Sequence, residues 1–216
     1  MADSPRQLAL FGGSFDPVHH GHLIVARALA EDRGFDRIVL VPAACPPHKP
    51  AAHASAEHRL AMLQLAVAGE ELFEVSAVEL ERTGPSFTYD TLCQLRRQFG
   101  GGTVLHWVIG ADMLEDLPQW HRAREIFDVA NILVVLRPPW HLKIQQVLAK
   151  LADEFNANLA EQLRQSTWEG PLIELSSTQI RGRLAEGRSI RHLTPCSVIS
   201  YIYSHGLYGT GGHGSG

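Results

Sequence analysis

Two histidines three residues apart, His19 and His22, bracket a glycine in the stretch Leu8-Ala9-Leu10-Phe11-Gly12-Gly13-Ser14-Phe15-Asp16-Pro17-Val18-His19-His20-Gly21-His22. The apolar run Leu8–Phe11 reads as a buried strand, followed by a glycine turn and the start of a helix near His20. That order makes an anion site: glycines allow close backbone approach, and the unpaired N–H groups of a helix start point at the bound charge. The pattern lacks both the Gly-Lys-Ser/Thr of a P-loop and the spacing of a dinucleotide fingerprint. On one helical turn His19 and His22 share a face, and Gly21 leaves space beside them. Two alternatives stand next to this reading. Histidines can simply cap the helix, and His19, His20 and His22 can hold zinc, although no cysteine or acidic pair lies nearby at metal-ligand spacing.

Other chemistry-bearing residues lie far along the chain. His48 and Lys49 sit in Cys45-Pro46-Pro47-His48-Lys49-Pro50, where three prolines bar a helix and stiffen an extended loop. Lys49 is either a solvent-facing charge or a phosphate contact. Asp112 follows the strong strand pattern Thr103–Ile109 and Gly110, at the carboxyl end where ligand crevices form, and suits ribose hydroxyls or a helix cap. Arg137 follows another strand and reads equally as a phosphate contact and as a rim charge. Ser176-Ser177-Thr178 offers hydroxyls and a helix cap. Arg181 falls in the first turn of the helix they open, where the dipole disfavours a cation unless an anion is bound beside it.

The elements that must position these groups alternate. A helix is expected at about 20–31, a strand at 37–41, a core-facing helix at 56–68 with no assigned chemistry, and a strand at 73–80. A helix capped by Ser86 or Thr88 then runs to Phe99. Strands follow at 103–109 and 131–136, a helix opens at Leu117-Pro118, and residues 140–164 read as weakly amphipathic helix. A short strand from Ile173 leads to a helix at 179–186, and a Pro195-initiated helix stops at Gly206. Alternating strands and helices imply an α/β, Rossmann-like, doubly wound parallel sheet with helices on both faces. A small C-terminal helical segment occupies about 177–208. The expected unit is a single domain, 1–208, with 209–216 a flexible glycine-rich tail.

Bulk properties agree with this layout. The 216 residues are 45% hydrophobic and 19% charged, with a formal net charge of −4. No long basic run occurs, which argues against a general nucleic-acid or membrane-surface binder. No secretory pattern opens the chain, and the apolar runs are too short to span a bilayer. Cys45, Cys93 and Cys196 are widely spaced and form no CxxC, so reduced thiols and a cytoplasmic location are expected.

The segment from Gly12 to His22 closely resembles the HxGH nucleotidyltransferase superfamily. The further motifs, in order to Tyr208, resemble the bacterial nicotinate-mononucleotide adenylyltransferases within it. The resemblance implies transfer of the adenylyl group of ATP to nicotinate mononucleotide, with Mg2+ bound to ATP. It implies catalytic roles for His19, His22, Lys49 and Arg181. ATP contacts would come from Gly12, Gly13, Ser14, Phe15, His48, Gly110, Asp112, Ser176, Ser177 and Thr178. Mononucleotide contacts would come from Ser86, Thr88, Tyr89, Asp112, Trp120, His121 and Arg137. In this family Trp120 would stack on the pyridine ring, and backbone near Thr88 and His121 would receive the carboxylate. The chain departs from the family where His121 replaces a usual Tyr. It also departs at Ala43 and Ala44, where Asn is usual, so one substrate hydrogen bond is either absent or supplied by the backbone. Phosphopantetheine adenylyltransferases, cytidylyltransferases and a non-catalytic nucleotide sensor are the alternatives. The oligomeric state and the preference between acid and amide mononucleotide leave no mark in the sequence.

Overall fold

The computed structural model describes residues 5–44 and 52–212. Six parallel strands form one sheet: β1 (Arg6–Gly13), β2 (Arg37–Pro42), β3 (Phe73–Val75), β4 (Thr103–Gly110), β5 (Asn131–Leu136) and β6 (Thr167–Glu169). Their spatial order is β3-β2-β1-β4-β5-β6. β1 pairs with β2 on one side and β4 on the other, so the order of connection reverses between β1 and β4. Loops leaving that switch point splay apart above the carboxyl ends of the strands and open a crevice.

Alternation along each strand feeds two cores. Leu8, Leu10, Leu105, Trp107, Ile132 and Val134 face one side. There they meet α3 (Thr88–Phe99), α4 (Ala123–Val129), α5 (Ile144–Glu154) and α6 (Ala157–Gln165). Ala9, Ile38, Leu40, Val108 and Leu133 face the other side. That side is covered by α1 (His20–Arg33), α2 (Ala56–Ala66), α7 (Ser177–Ala185) and α8 (Cys196–Ser204). The central strands are covered on both faces, which is why they read as continuous apolar runs.

Several expectations need correction. The strand expected at 73–80 ends at Val75, because residues 76–81 turn back on themselves and bring Glu79 into the interior. Neither Ser86 nor Thr88 caps α3; Phe87 occupies the N-cap without a side-chain bond. The segment at Leu117 is a single 3-10 turn, Leu117–Gln119. After it the chain extends at Trp120 and turns left-handed at Arg122 before α4 begins. Residues 140–164 split into α5 and α6 at Phe155-Asn156, where Asn156 accepts from Leu159 N at 2.9 Å. Each half buries its own apolar face, and the phase break between them hid both faces from a single window. No strand starts at Ile173. The edge strand is β6, Thr167–Glu169, and α7 begins two residues earlier than expected. Ordered chain also continues past Tyr208: Leu207–Gly212 forms a further 3-10 segment in which the buried Thr210 hydroxyl donates to Leu207 O at 2.9 Å. No helix of the described residues is long and apolar enough to cross a membrane.

Candidate active site at the switch point

A cleft of about 660 Å³ lies over the carboxyl ends of β1 and β4. One wall is the glycine turn, Gly12, Gly13, Ser14 and Phe15, with His19 and His22 at its end. Gly110, Asp112 and Arg137 come from the ends of β4 and β5, and Ser176 and Ser177 from the start of α7. The structure therefore gathers these expected residues around one space. Thr178 and Arg181 lie just beyond the cleft lining on α7. His48 and Lys49 fall outside the described residues.

The two histidines are bound to each other's backbone. His19 is the N-cap of α1, and its Nδ1 accepts from His22 N at 3.3 Å. His22 Nδ1 accepts in return from His19 N at 3.3 Å. This is a capping box with imidazoles in the places usually taken by Ser/Thr and Glu. Capping and site formation are thus one arrangement rather than alternatives. The rings stack with centroids 3.6 Å apart, and the Phe15 ring meets His22 edge-on at 5.0 Å. Gly21 leaves little room for a side chain here, since a Cβ would lie 3.0 Å from the His19 ring and 3.2 Å from Ile173, so either neighbour would have to shift by a few tenths of an ångström.

A nitrogen that accepts a backbone bond carries no proton. Each neutral ring therefore bears its hydrogen on Nε2. Burial, and then the neighbouring His20 imidazole, lower the His19 pKa to about 4. Burial, then His19 and Arg137, hold His22 well below its ordinary value. The pair thus offers two neutral donors. Positive charge comes from Arg137, whose Nη2 lies 3.5 Å from Asp112 Oδ1 in an exposed pair that a phosphate can compete for.

Arg181 has a partner that its sequence position did not suggest. Its Nη1 donates to Asp16 O at 2.6 Å and its Nη2 to Thr178 Oγ1 at 3.2 Å. An anion is therefore not needed to explain a cation in that first turn. Ser176 caps α7 by accepting from Gln179 N at 3.2 Å, and Gln179 Oε1 accepts in return from Ser176 N at 2.9 Å.

Of the expected mononucleotide residues, Asp112 and Arg137 line the cleft, while Tyr89 and His121 lie among other aromatic and cationic groups outside it. The Phe87 and His121 rings lie 4.6 Å apart, and the Arg122 guanidinium sits 4.0 Å over the Tyr89 ring. Trp120 is half-buried against the same core as Met113, and Met113 also lines the cleft. Ser86, Thr88, Tyr89, Trp120 and His121 are not in the cleft lining itself.

Sequence reasoning passed over three groups. Asp16 lies within the recognised motif but received no role, although its buried carboxylate accepts from His53 N, Ala54 N and the Tyr208 hydroxyl at 2.7, 3.1 and 2.7 Å. Arg59 lies in the 56–68 helix, which was assigned no chemistry, yet it is 2% exposed and donates to Ser14 O at 2.8 Å. Residues 170–175, of which only those from Ile173 were expected to be a strand, instead form a wall of the cleft. For Asp16 the one available signal was its place between an aromatic residue and proline in the turn.

The sequence model of the cytidylyltransferase-like family matches residues 10–183. A protein of Thermomicrobium roseum named probable nicotinate-nucleotide adenylyltransferase is 42% identical over 205 residues, covering 94% of this chain and 92% of that one. A Roseiflexus protein of the same name is 43% identical over 209 residues, covering 96% and 100%. Among solved structures, a nicotinic acid mononucleotide adenylyltransferase of Plasmodium falciparum complexed with NaAD superposes with a TM-score of 0.71. It is 16% identical and the match covers 94% and 97% of the two chains, a likeness of fold. The chain belongs to the cytidylyltransferase-like family and, within it, to the nicotinate-nucleotide adenylyltransferases.

The depressed His19 pKa has a consequence for stability. Between the ordinary value of 6.5 and about 4, the unfolded chain binds a proton that the folded one refuses. Stability must therefore fall as pH falls through that window. From pH 6.5 to 5, His19 alone accounts for about 1.5 kcal/mol, the slope rising from half of ~1.4 kcal/mol per pH unit to nearly the whole of it. Urea unfolding at the two pH values should show at least that decrease, and His19→Gln should flatten the dependence.

Proposed function

We propose that this protein transfers the adenylyl group of ATP to nicotinate mononucleotide, forming nicotinate adenine dinucleotide and pyrophosphate in the cytoplasmic synthesis of NAD. The observation that carries the reading is the reciprocally capped His19–His22 pair, with both Nε2–H donors at the cleft over the switch point. A phosphate oxygen of the mononucleotide attacks the α-phosphorus of ATP. The bond from that phosphorus to the α–β bridging oxygen breaks, and its electron pair leaves with pyrophosphate. The attacking phosphate is already a competent nucleophile, so no covalent enzyme intermediate or general base is required. What must be supplied is in-line placement and stabilisation of charge on the non-bridging oxygens.

In this reading His19 and His22 donate neutral hydrogen bonds to the ATP phosphates, with His22 serving the transition state. Lys49, Arg137 and Arg181 supply cationic charge, and His48 joins them. Gly12, Gly13, Ser14 and Phe15 support the adenosine with Gly110, while Asp112 accepts from a ribose hydroxyl. Ser176, Ser177 and Thr178 meet the triphosphate. Mg2+ enters as part of the ATP complex, neutralising phosphate charge when bound. Its ligands would be the phosphate oxygens and water, since no group of three or more His, Cys, Asp or Glu side chains among the described residues could hold a metal ion.

The start of α3 supports an acid rather than an amide ring substituent. Because Phe87 leaves it without a side-chain cap, the N–H groups opening this helix remain for a carboxylate. Ser86, Thr88, Tyr89 and His121 surround that position, and Trp120 stacks on the pyridine ring. The same cluster distinguishes this reading from phosphopantetheine or cytidylyl transfer, which offer no pyridine carboxylate.

The direct test mixes the protein with ATP, Mg2+ and one acceptor at a time, then measures pyrophosphate. Release with nicotinate mononucleotide should exceed that with nicotinamide mononucleotide or phosphopantetheine; release only with another acceptor would overturn the assignment. His22→Ala should lower turnover by about a hundred- to thousandfold in a folded protein. Trp120→Ala should raise KM for the mononucleotide by about three- to tenfold, the worth of one aromatic stack, while KM for ATP holds.

A further inference from the structure

The interior carboxylate of Glu79 lies outside the cleft and has no part in the chemistry just described. It is 6% exposed. Its Oε2 accepts from Ala44 N at 3.3 Å, and its Oε1 accepts from the Thr91 hydroxyl at 2.8 Å. Thr91, itself fully buried, accepts in turn from Arg82 Nη2 at 2.8 Å. The buried Ser86 hydroxyl also faces the carboxylate, without reaching hydrogen-bond distance in this conformation. Burial works against the charge and raises the Glu79 pKa, while the bonds from Thr91 and Ala44 and the nearby Arg82 hold it down.

A carboxylate is costly to bury, and its use here calls for a reason. Three chain segments converge on it. Ala44 belongs to the loop that leaves β2, immediately before the prolines and Lys49. Glu79 and Arg82 belong to the turn after β3. Thr91 lies in the first turn of α3, just behind the uncapped N–H groups. The two oxygens of a carboxylate point in different directions and can each accept from a different segment, so one side chain can fix the separation between the β2 loop and the α3 start.

We propose that Glu79 is a positioning residue for the mononucleotide. It braces the β2 loop against the N-terminus of α3, through Ala44 N–H on one oxygen and the Thr91 hydroxyl on the other. This rests on the reading that the α3 start receives the nicotinate ring. Loosening the brace misplaces the acceptor at the α3 start, while the β2 loop keeps its tie to the glycine turn through Ala43 N, which donates to Gly13 O at 2.8 Å, so the ATP side is disturbed less.

The experiment measures kcat and separate KM values for ATP and nicotinate mononucleotide in Glu79→Ala, Glu79→Gln and Thr91→Val, with folding checked by circular dichroism and thermal melting. Glu79→Ala should raise KM for the mononucleotide about tenfold or more and leave KM for ATP within about threefold. Glu79→Gln should give an intermediate KM for the mononucleotide, since its one carbonyl oxygen keeps one arm of the brace and its NH2 group cannot accept from the other donor. Thr91→Val, which keeps the volume and removes one arm of the brace, should shift the same KM in the same direction. It decides the matter if Glu79→Ala does not fold. An unchanged mononucleotide KM in the folded variants, or equal rises in both KM values, would overturn the brace while leaving the function standing. A wild-type protein that releases no pyrophosphate from ATP and nicotinate mononucleotide would overturn both.

Discussion

The carbonyls of the turn after β1 cannot satisfy themselves, and the rest of the chain is arranged to satisfy them. Ser14 O accepts from Arg59, Asp16 O from Arg181, Pro17 O from Ser177 and Val18 O from Thr194, at 2.6–2.8 Å. His20 N donates to Leu193 O at 3.0 Å. The turn includes a non-glycine residue with positive φ, Phe15, whose side chain is almost wholly buried. A tight turn of that kind exposes polar backbone toward a packed interior, where each unmade bond costs about 1–3 kcal/mol. The donors come from 45 to 176 residues away. The C-terminal helices therefore do more than close the core: they hold the shape of the turn that lines the cleft. Asp16 adds the same service through its side chain, tying the chain at His53 and Ala54 and the last tyrosine, Tyr208, to one carboxylate.

Against that fixed turn, the histidine pair separates two electrostatic tasks. Rings that are buried, stacked and committed at Nδ1 stay neutral. They donate hydrogen bonds without placing two like charges 3.6 Å apart. In the proposed reaction, compensation of phosphate charge falls to guanidinium and ammonium groups on other elements. This division keeps the helix start intact over the range in which imidazoles ordinarily titrate, because protonating either Nδ1 would break its half of the cap.

The parts of this arrangement legible in the sequence are those that depend on local chemistry. Glycine spacing, the histidine pair, Pro17 and the apolar strands Leu8–Phe11 and Thr103–Ile109 announced the crevice and its position at strand ends. What escaped depends on interactions between distant segments. Glu79 looked like an alternating strand residue because its turn inward is set by Thr91 and Ala44, which no window around Glu79 contains. Arg59 received no role because a buried arginine is recognisable only beside the carbonyl it serves. Arg181 was noticed for its unfavourable place in a helix, but its partner, Asp16 O, is 165 residues earlier. The interruption at Phe155-Asn156 was missed for a different reason: an asparagine cap inside a helical run restarts the phase, and averaging across it cancels both apolar faces.

The dependence of the site on its remote donors is most directly tested at Asp16. Asparagine keeps the size and polarity of the side chain, but it turns one acceptor into a donor facing the N–H groups of His53 and Ala54 or the Tyr208 hydroxyl. Turnover and thermal stability of Asp16→Asn should be measured together. The account requires turnover to fall by about tenfold or more in a protein that still unfolds cooperatively, since breaking one oriented hydrogen bond at the turn displaces the groups it positions. Wild-type turnover in a folded Asp16→Asn protein would contradict it.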